Sequence, residues 1–266
     1  MIPKIIHYSW FSDAPIPEHI QELMVTWKKY LPDYEFRLWN GKALAEINCP
    51  YANEAVSVKK WAFAADFLRN YVVYKYGGIW LDTDIEVFKS FDPFLNNRMF
   101  IGAEANFHGL PKKRYVTSHC FGAEAGHPFL KLCVDYYINR HFIHSTNEEL
   151  PLTFRYDMQL ILPEIHGKIL VDNYGYNADG YQDQDQGIHI YPSDYFDSPR
   201  YNTMKNVVCI HRAQGGWRPN SNAGEFDYSS TNAAKKNLYY YIFQLYDKLN
   251  GFSYKYLGFG ISKGKR

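Results

Sequence analysis

Several features are missing from this chain of 266 residues, and each absence narrows the field. No apolar run approaches the ~18 uninterrupted residues of a membrane-spanning helix. The start, MIPKIIHYSW, has neither the charged lead nor the long apolar stretch of a secretory leader. The four cysteines, Cys49, Cys120, Cys133 and Cys209, form no C-x-x-C pair and sit in apolar runs. They argue against a disulfide framework and for buried free thiols in a reducing compartment. Charge of either sign is not in excess: 29 basic and 28 acidic residues leave a net charge of +1, so no global field points to nucleic acid as a partner. Glycine-rich phosphate loops and Ser-His-Asp signatures are also absent, which removes kinases and serine hydrolases as simple readings. No N-x-S/T sequon occurs. The expectation is a soluble, cytoplasmic protein.

Aromatic side chains, by contrast, are plentiful. They make up 18% of the chain, with 24 Tyr and 18 Phe, enough both to fill a core and to offer stacking faces to carbohydrate. Periodicity sets strands at IPKIIHYSWF, YEFRLWN, MFIGAEA, IHIYPSDYF and VVCIHRA. It sets helices near His19–Tyr30, over Glu54–Tyr76, in HPFLKLCVDYYINR and TFRYDMQLILPEI, and near Asn232–Leu249. Strands alternating with helices predict an α/β fold: a mixed or mainly parallel sheet, helices on both faces, and a ligand crevice at the strand ends. The stretch 177–187, NADGYQDQDQG, reads as a loop.

One segment does not fit a plain core. In GGIWLDTDIEVF, 77–88, alternation predicts a strand with Ile79, Leu81, Thr83, Ile85 and Val87 on one face and Trp80, Asp82, Asp84 and Glu86 on the other. Aspartates at i and i+2 of a strand project together about 6–7 Å apart, within reach of one hard divalent cation, Mg²⁺ or Mn²⁺. An exposed polar strand face would show the same pattern. Just upstream, Asp66 and Arg69 are helical neighbours within an apolar run, where a buried ion pair is costly unless it binds something. A carboxylate suits sugar or ribose hydroxyls, and a guanidinium suits phosphate oxygens.

Three blocks make the sequence similar to a known family: IPKIIHYSWF at 2–11, AFAADFLRNYVVYKYGGIWLDTDIEV at 62–87, and IHRAQGGW at 210–217, with weaker agreement at 121–128 and 190–196. They resemble the DxD-containing glycosyltransferases, the group with the yeast initiating mannosyltransferases and bacterial capsular polysaccharide transferases, distantly like the glucosylating domains of large clostridial toxins. The resemblance implies a GT-A fold with a Rossmann-like mixed sheet, as a single domain over 1–250 followed by a basic aromatic tail, 251–266. It implies a nucleotide-diphosphate sugar donor, a divalent cation (Mn²⁺ or Mg²⁺) and retention of anomeric configuration. Trp10 matches the aromatic that stacks on the donor base, Asp66 and Arg69 the pair holding ribose and sugar, and Asp82 and Asp84 the DxD itself. His211 and Trp217 match a C-terminal element that completes the metal and diphosphate end, although Gly216 stands where that family has serine.

A UDP-hexose is the favoured donor, with GDP-mannose as the second choice, and the acceptor is expected to be a surface or capsular glycan or a lipid-linked oligosaccharide. The tail, with Lys255, Lys263, Lys265 and Arg266, suits peripheral contact with an anionic membrane. Asp157 and Gln159 are further polar candidates near the reacting carbon. A sugar-binding relative without activity and a metal-dependent phosphohydrolase remain the alternatives. The first need not keep all four charged residues, and the second wants a denser ligand set than is present.

Overall fold

The computed structural model describes residues 1–104, 115–177, 182–197 and 204–212. β1 (Ile5–Ser9) begins almost at once, and α1 (Glu18–Tyr30) carries the chain to β2 (Glu35–Trp39), which runs parallel to β1 with Ile5 opposite Glu35 and Ser9 opposite Trp39. The short helix α2 (Gly41–Ala45) follows, its first turn capped where Asn40 Oδ1 accepts from the Ala43 N–H at 3.0 Å.

The single helix expected over Glu54–Tyr76 is two helices, α3 (Pro50–Ser57) and α4 (Trp61–Tyr76). The break is a left-handed C-terminal cap. Lys59 takes φ 57°, its N–H donates to Val56 O at 2.9 Å, and the Lys60 N–H donates to Ala55 O at 2.8 Å, which satisfies the last carbonyls of α3 and turns the chain. Glycine normally marks such a cap, and a lysine there conceals it from sequence reading.

Helix α4 ends at Gly77, and the strand β3 (Gly78–Leu81) starts at once. Both glycines have positive φ, 66° and 108°, and a Cβ on Gly78 would lie 2.7 Å from Ile5 O. That close approach lets β3 run parallel beside β1, with Ile6 opposite Ile79 and His7 opposite Trp80. His7 secures the junction: one ring nitrogen pairs with Gly77 O at 2.9 Å while Nδ1 accepts from Trp39 Nε1–H at 3.1 Å. Burial lowers its pKa to about 4, so it is neutral and structural.

The remaining elements are β4 (Ile85–Val87), β5 (Met99–Ala103), β6 (Val116–Ala123), α5 (Pro128–Ile138), α6 (Leu152–Arg155), α7 (Leu162–Tyr174), β7 (Gln182–Gln184), β8 (Ile188–Tyr191), α8 (Ser193–Phe196) and β9 (Cys209–His211). The main sheet has the order β2-β1-β3-β6-β5-β8-β7, with parallel and antiparallel pairs, and β4 pairs antiparallel with β9 in a separate two-stranded sheet. The expected α/β fold with a mixed sheet is borne out. Alternation divides the core between the two faces. Trp80, Met99, Ile101 and Phe121 pack with α3, α4, α5 and α7, whereas Ile6, Ile79, Leu81, Phe100 and Cys120 pack with Trp27 of α1 and Phe196 of α8.

Two segments depart from expectation. TFRYDMQLILPEI is not one helix, because the chain between α6 and α7 is drawn out by a bridge between Tyr156 and Ile143. Within 177–187, the residues Gln182–Gln184 form β7, an edge strand whose polar side chains hid it from a hydrophobic-periodicity search. The helix expected near Asn232–Leu249, Gly216, Trp217 and the tail 251–266 lie outside the described residues.

Candidate active site

The acidic strand is not one strand. β3 stops at Leu81, residues 82–84 form a turn, and β4 opens in the second sheet at Ile85. Trp80 therefore does not share an open face with the aspartates: it is 1% exposed and packs on the helical side of the main sheet. The turn is closed by the Ile85 N–H donating to Asp82 O at 3.1 Å, and it is anchored on β6 by the Asp82 N–H donating to His119 O at 3.0 Å. Apolar residues on both sides of the pair gave the segment a strand's periodicity. What breaks it is the crossing from one sheet to the other, held from outside by Trp27 Nε1–H donating to Ile85 O at 2.7 Å and Thr26 Oγ1 accepting from the Val87 N–H at 2.9 Å. Both aspartates are thus presented on a tight turn at the C-terminal edge of the main sheet, where an open α/β fold places its ligands.

Arg69, 5% exposed, ties the helix to this turn. Its Nη1 donates to Ser118 O at 2.7 Å and lies 3.1 Å from Asp82 Oδ1, and its Nη2 is 3.3 Å from Asp66 Oδ1. The guanidinium also lies 5.3 Å from the centre of the Trp80 ring, and Trp80 Nε1–H donates to Asp82 Oδ1 at 2.7 Å. The structure so brings together Asp66, Arg69 and Asp82, and adds Trp80 as a partner that residue pattern alone did not single out. Burial raises the Asp66 pKa to about 7, against the lowering pull of Arg69, with Asp82 adding repulsion. Around neutral pH its carboxyl can either accept or donate a hydrogen bond.

His211 reaches the same turn from β9, paired opposite Ile85. Its Nε2 is 3.3 Å from Asp84 Oδ1. Burial acts to lower its pKa, but Asp84, with Asp82 and Asp197 beyond it, outweighs burial and raises it to about 9. His119 of β6 lies nearly parallel against the His211 ring, centroids 4.1 Å apart at 22°. Burial and the charge of His211 lower the His119 pKa to about 3, and its Nε2 pairs with Phe196 O at 3.0 Å. No motif pointed to His119; the polar triplet Thr117–His119 inside an otherwise apolar strand was the available signal.

Asp82, Asp84 and His211 each bring a ligand atom within 4.8 Å of the others. Two carboxylates and an imidazole suit Mn²⁺, and the carboxylates suit Mg²⁺, so these residues fit a divalent cation. His119, Asp197 and His211 form a second such group, but His119 Nε2 is already engaged by Phe196 O.

Trp10 follows β1 as Asp82 follows β3, so the neighbouring parallel strands deliver both residues to one edge. Its Nε1–H donates to Ala14 O at 2.7 Å, and its ring lines a cleft of about 570 Å³. Asp157 lies 3.6 Å from Arg140, its backbone carbonyl accepts from Tyr51 O–H at 3.4 Å, and Gln159 is exposed on the chain before α7.

Residues 17–101 match the family described as "Glycosyltransferase sugar-binding region containing DXD motif", about a third of the chain that includes Asp66, Arg69 and the acidic turn. Among curated proteins, the chain is 29% identical over 153 residues to inositol phosphoceramide mannosyltransferase 3 of Schizosaccharomyces pombe, covering 54% of this chain and 41% of that protein. It is 27% identical over 133 residues to mannosyl phosphorylinositol ceramide synthase SUR1 of Saccharomyces cerevisiae, covering 48% and 33% respectively. The chain spans less than half the length of these relatives. Among solved structures, it is similar to "PaToxG Glycosyltransferase" at TM-score 0.43 and 20% identity, over 64% of this chain and 68% of that one. An active-site mutant of the galactosyltransferase LgtC gives TM-score 0.40 at 12% identity over 78% and 86%. The resemblance carried by the sequence motifs is borne out by the DXD family match.

Proposed function

We propose that this chain is a divalent-cation-dependent, retaining glycosyltransferase that moves a hexose from a nucleoside-diphosphate sugar to a hydroxyl of a glycan or glycolipid acceptor. The convergence of Asp82, Asp84 and His211 on one turn, inside the segment matched by the DXD family, carries this reading. The curated relatives are named for mannose transfer to inositol phosphoceramide, which moves mannose ahead of the other hexoses and a lipid-linked acceptor ahead of a capsular one.

Asp82, Asp84 and His211 would hold the cation, which supplies positive charge against the donor diphosphate as the sugar–phosphate bond breaks. Arg69 donates to Ser118 O and lies against Asp82 and Asp66, so it would hold the two carboxylates in place at the donor end of the site. Asp66, raised toward neutrality, faces the sugar hydroxyls and can match either donor or acceptor. Trp10 offers its ring to the base.

Asp84→Ala should reduce cation-dependent release of nucleoside diphosphate from the donor on the order of 100-fold or more while leaving the thermal midpoint near that of the parent. Full turnover in that variant, with Mn²⁺ dependence intact, would remove Asp84 as a ligand. Transfer that is indifferent to chelator would remove the cation from the reaction.

A further inference from the structure

The ring of His211 reaches the acidic turn without a rotamer of its own to aim it, because rotation of an imidazole about its last side-chain bond is broad. Its backbone, by contrast, is clamped. The His211 N–H donates to Asp197 O at 3.0 Å, His211 pairs opposite Ile85 in the small sheet, and the next residue, Arg212, donates its N–H to Asp84 O at 3.0 Å. Something other than the main chain must set the direction of the ring.

His119 stands against that ring. It is 3% exposed inside β6, and the two imidazoles lie nearly parallel with centroids 4.1 Å apart, a flat contact that blocks either ring from turning out of the stack. His119 is itself fixed. Its Nε2 faces Phe196 O at 3.0 Å, and a carbonyl oxygen only accepts, so Nε2 carries the hydrogen. Phe196 and Asp197 thus hold both partners, the ring of His119 through one carbonyl and the main chain of His211 through the next. The His119 main chain serves the other half of the site, since its carbonyl accepts from the Asp82 N–H at 3.0 Å. One strand position touches the turn through its backbone and the histidine through its side chain.

We propose that His119 is a positioning residue, whose ring face holds the His211 imidazole at the angle that directs Nε2 to the acidic turn, where it lies 3.3 Å from Asp84 Oδ1. The proposal rests on the cation-site reading above and deepens it, because it gives a role to a buried residue that supplies no ligand atom. Without that backing the His211 ring is free to rotate, and the two carboxylates are left to hold the cation alone.

The test is a double-mutant cycle on the whole chain, with Mn²⁺ affinity read by electron paramagnetic resonance in the parent, His119→Leu, His211→Ala and the double variant. Leucine fills much of the space but offers no flat face. His119→Leu should weaken Mn²⁺ binding about tenfold or more. In the His211→Ala background the same change should cost less than about twofold, because the residue it acts through is gone. A loosened strand would instead lower affinity equally in both backgrounds, since the Asp82 N–H depends on the His119 carbonyl in each. His119→Phe keeps the ring face and gives up the bond to Phe196 O, so it should bind Mn²⁺ within about threefold of the parent. Equal losses in the two backgrounds, parent-like binding in the leucine variant, or a phenylalanine variant as weak as the leucine one would each overturn the positioning role and leave the cation site standing. If the parent bound no Mn²⁺, site and inference would fall together.

Discussion

Asp82 is held by two groups at once: Trp80 Nε1–H donates to its Oδ1 at 2.7 Å, and Arg69 Nη1–H donates to its Oδ2 at 3.2 Å. A carboxylate fixed in this way presents its remaining lone pairs in a set direction, which is how supporting groups tune a cation site. Trp80→Phe keeps an aromatic ring in the core and removes the donor. It should weaken Mn²⁺ binding by about 10- to 100-fold, read by electron paramagnetic resonance of free Mn²⁺, while circular dichroism shows the fold retained. Unchanged affinity would mean that Trp80 only packs. His211 sets the pH dependence. Its folded pKa is raised to about 9, so the stability it adds to the cation-free chain is fully present below its ordinary value near 6.5 and is lost as pH rises through about 9. A cation that takes its Nε2 must displace that proton. Mn²⁺ affinity should therefore climb about tenfold per pH unit from 7 toward 9, with close to one proton released per ion at pH 8, where Asp66 is already ionised. Calorimetry in buffers of different ionisation enthalpy measures the proton count, and none released at pH 8 would exclude His211. The residues at this scale were legible where type and spacing carry chemistry, as with Asp66, Arg69, Asp82 and Asp84, whereas His211 was legible only through the family resemblance. Trp80 and His119 were not, because an indole N–H and a stacked ring act through partners far away in sequence.

Among elements, the junctions matter more than the strands and helices they join. Gly77-Gly78 was legible as the end of α4, since double glycine is a stop signal. Its second role, letting β3 approach β1 closely, depends on the neighbour and is visible only in space. Gly78→Ala would set a Cβ 2.7 Å from Ile5 O at φ 108°, and should cost on the order of 2 kcal/mol or more, read as a fall in the denaturant midpoint. A neutral outcome would show that the strands slide apart at little cost. Lys59→Gly should do the opposite, adding about 0.5–1 kcal/mol by relieving the left-handed lysine that caps α3. The acidic turn is the clearest case of misleading local pattern. Ile79, Leu81, Ile85 and Val87 alternate as in one strand because both short strands face the same core cluster, but β3 belongs to the main sheet and β4 to its two-stranded companion. Periodicity reports which residues are buried, and it is silent on which sheet buries them.

Taken whole, the molecule is a mixed sheet buried on both faces, with a second small sheet laid so that β9 brings His211 to the turn after β3. The alternation of elements was enough to foresee the first part. It could not foresee the second, since the pairing of Ile85–Val87 with Cys209–His211 joins segments separated by nearly half of the chain and leaves no short-range signal. That long-range pair brings His211 to the acidic turn that carries Asp82 and Asp84. No helix among the described residues is long and apolar enough to cross a membrane. The most direct test of the central claim is to titrate the purified chain with GDP and with UDP, each in Mn²⁺ and in EDTA, beside Asp84→Asn at matched thermal stability. A nucleoside diphosphate should bind in Mn²⁺ and lose on the order of 100-fold in affinity, both in EDTA and in the variant. Binding of equal strength without the cation, or in Asp84→Asn, would contradict the assignment of the acidic turn as the place where cation and donor meet.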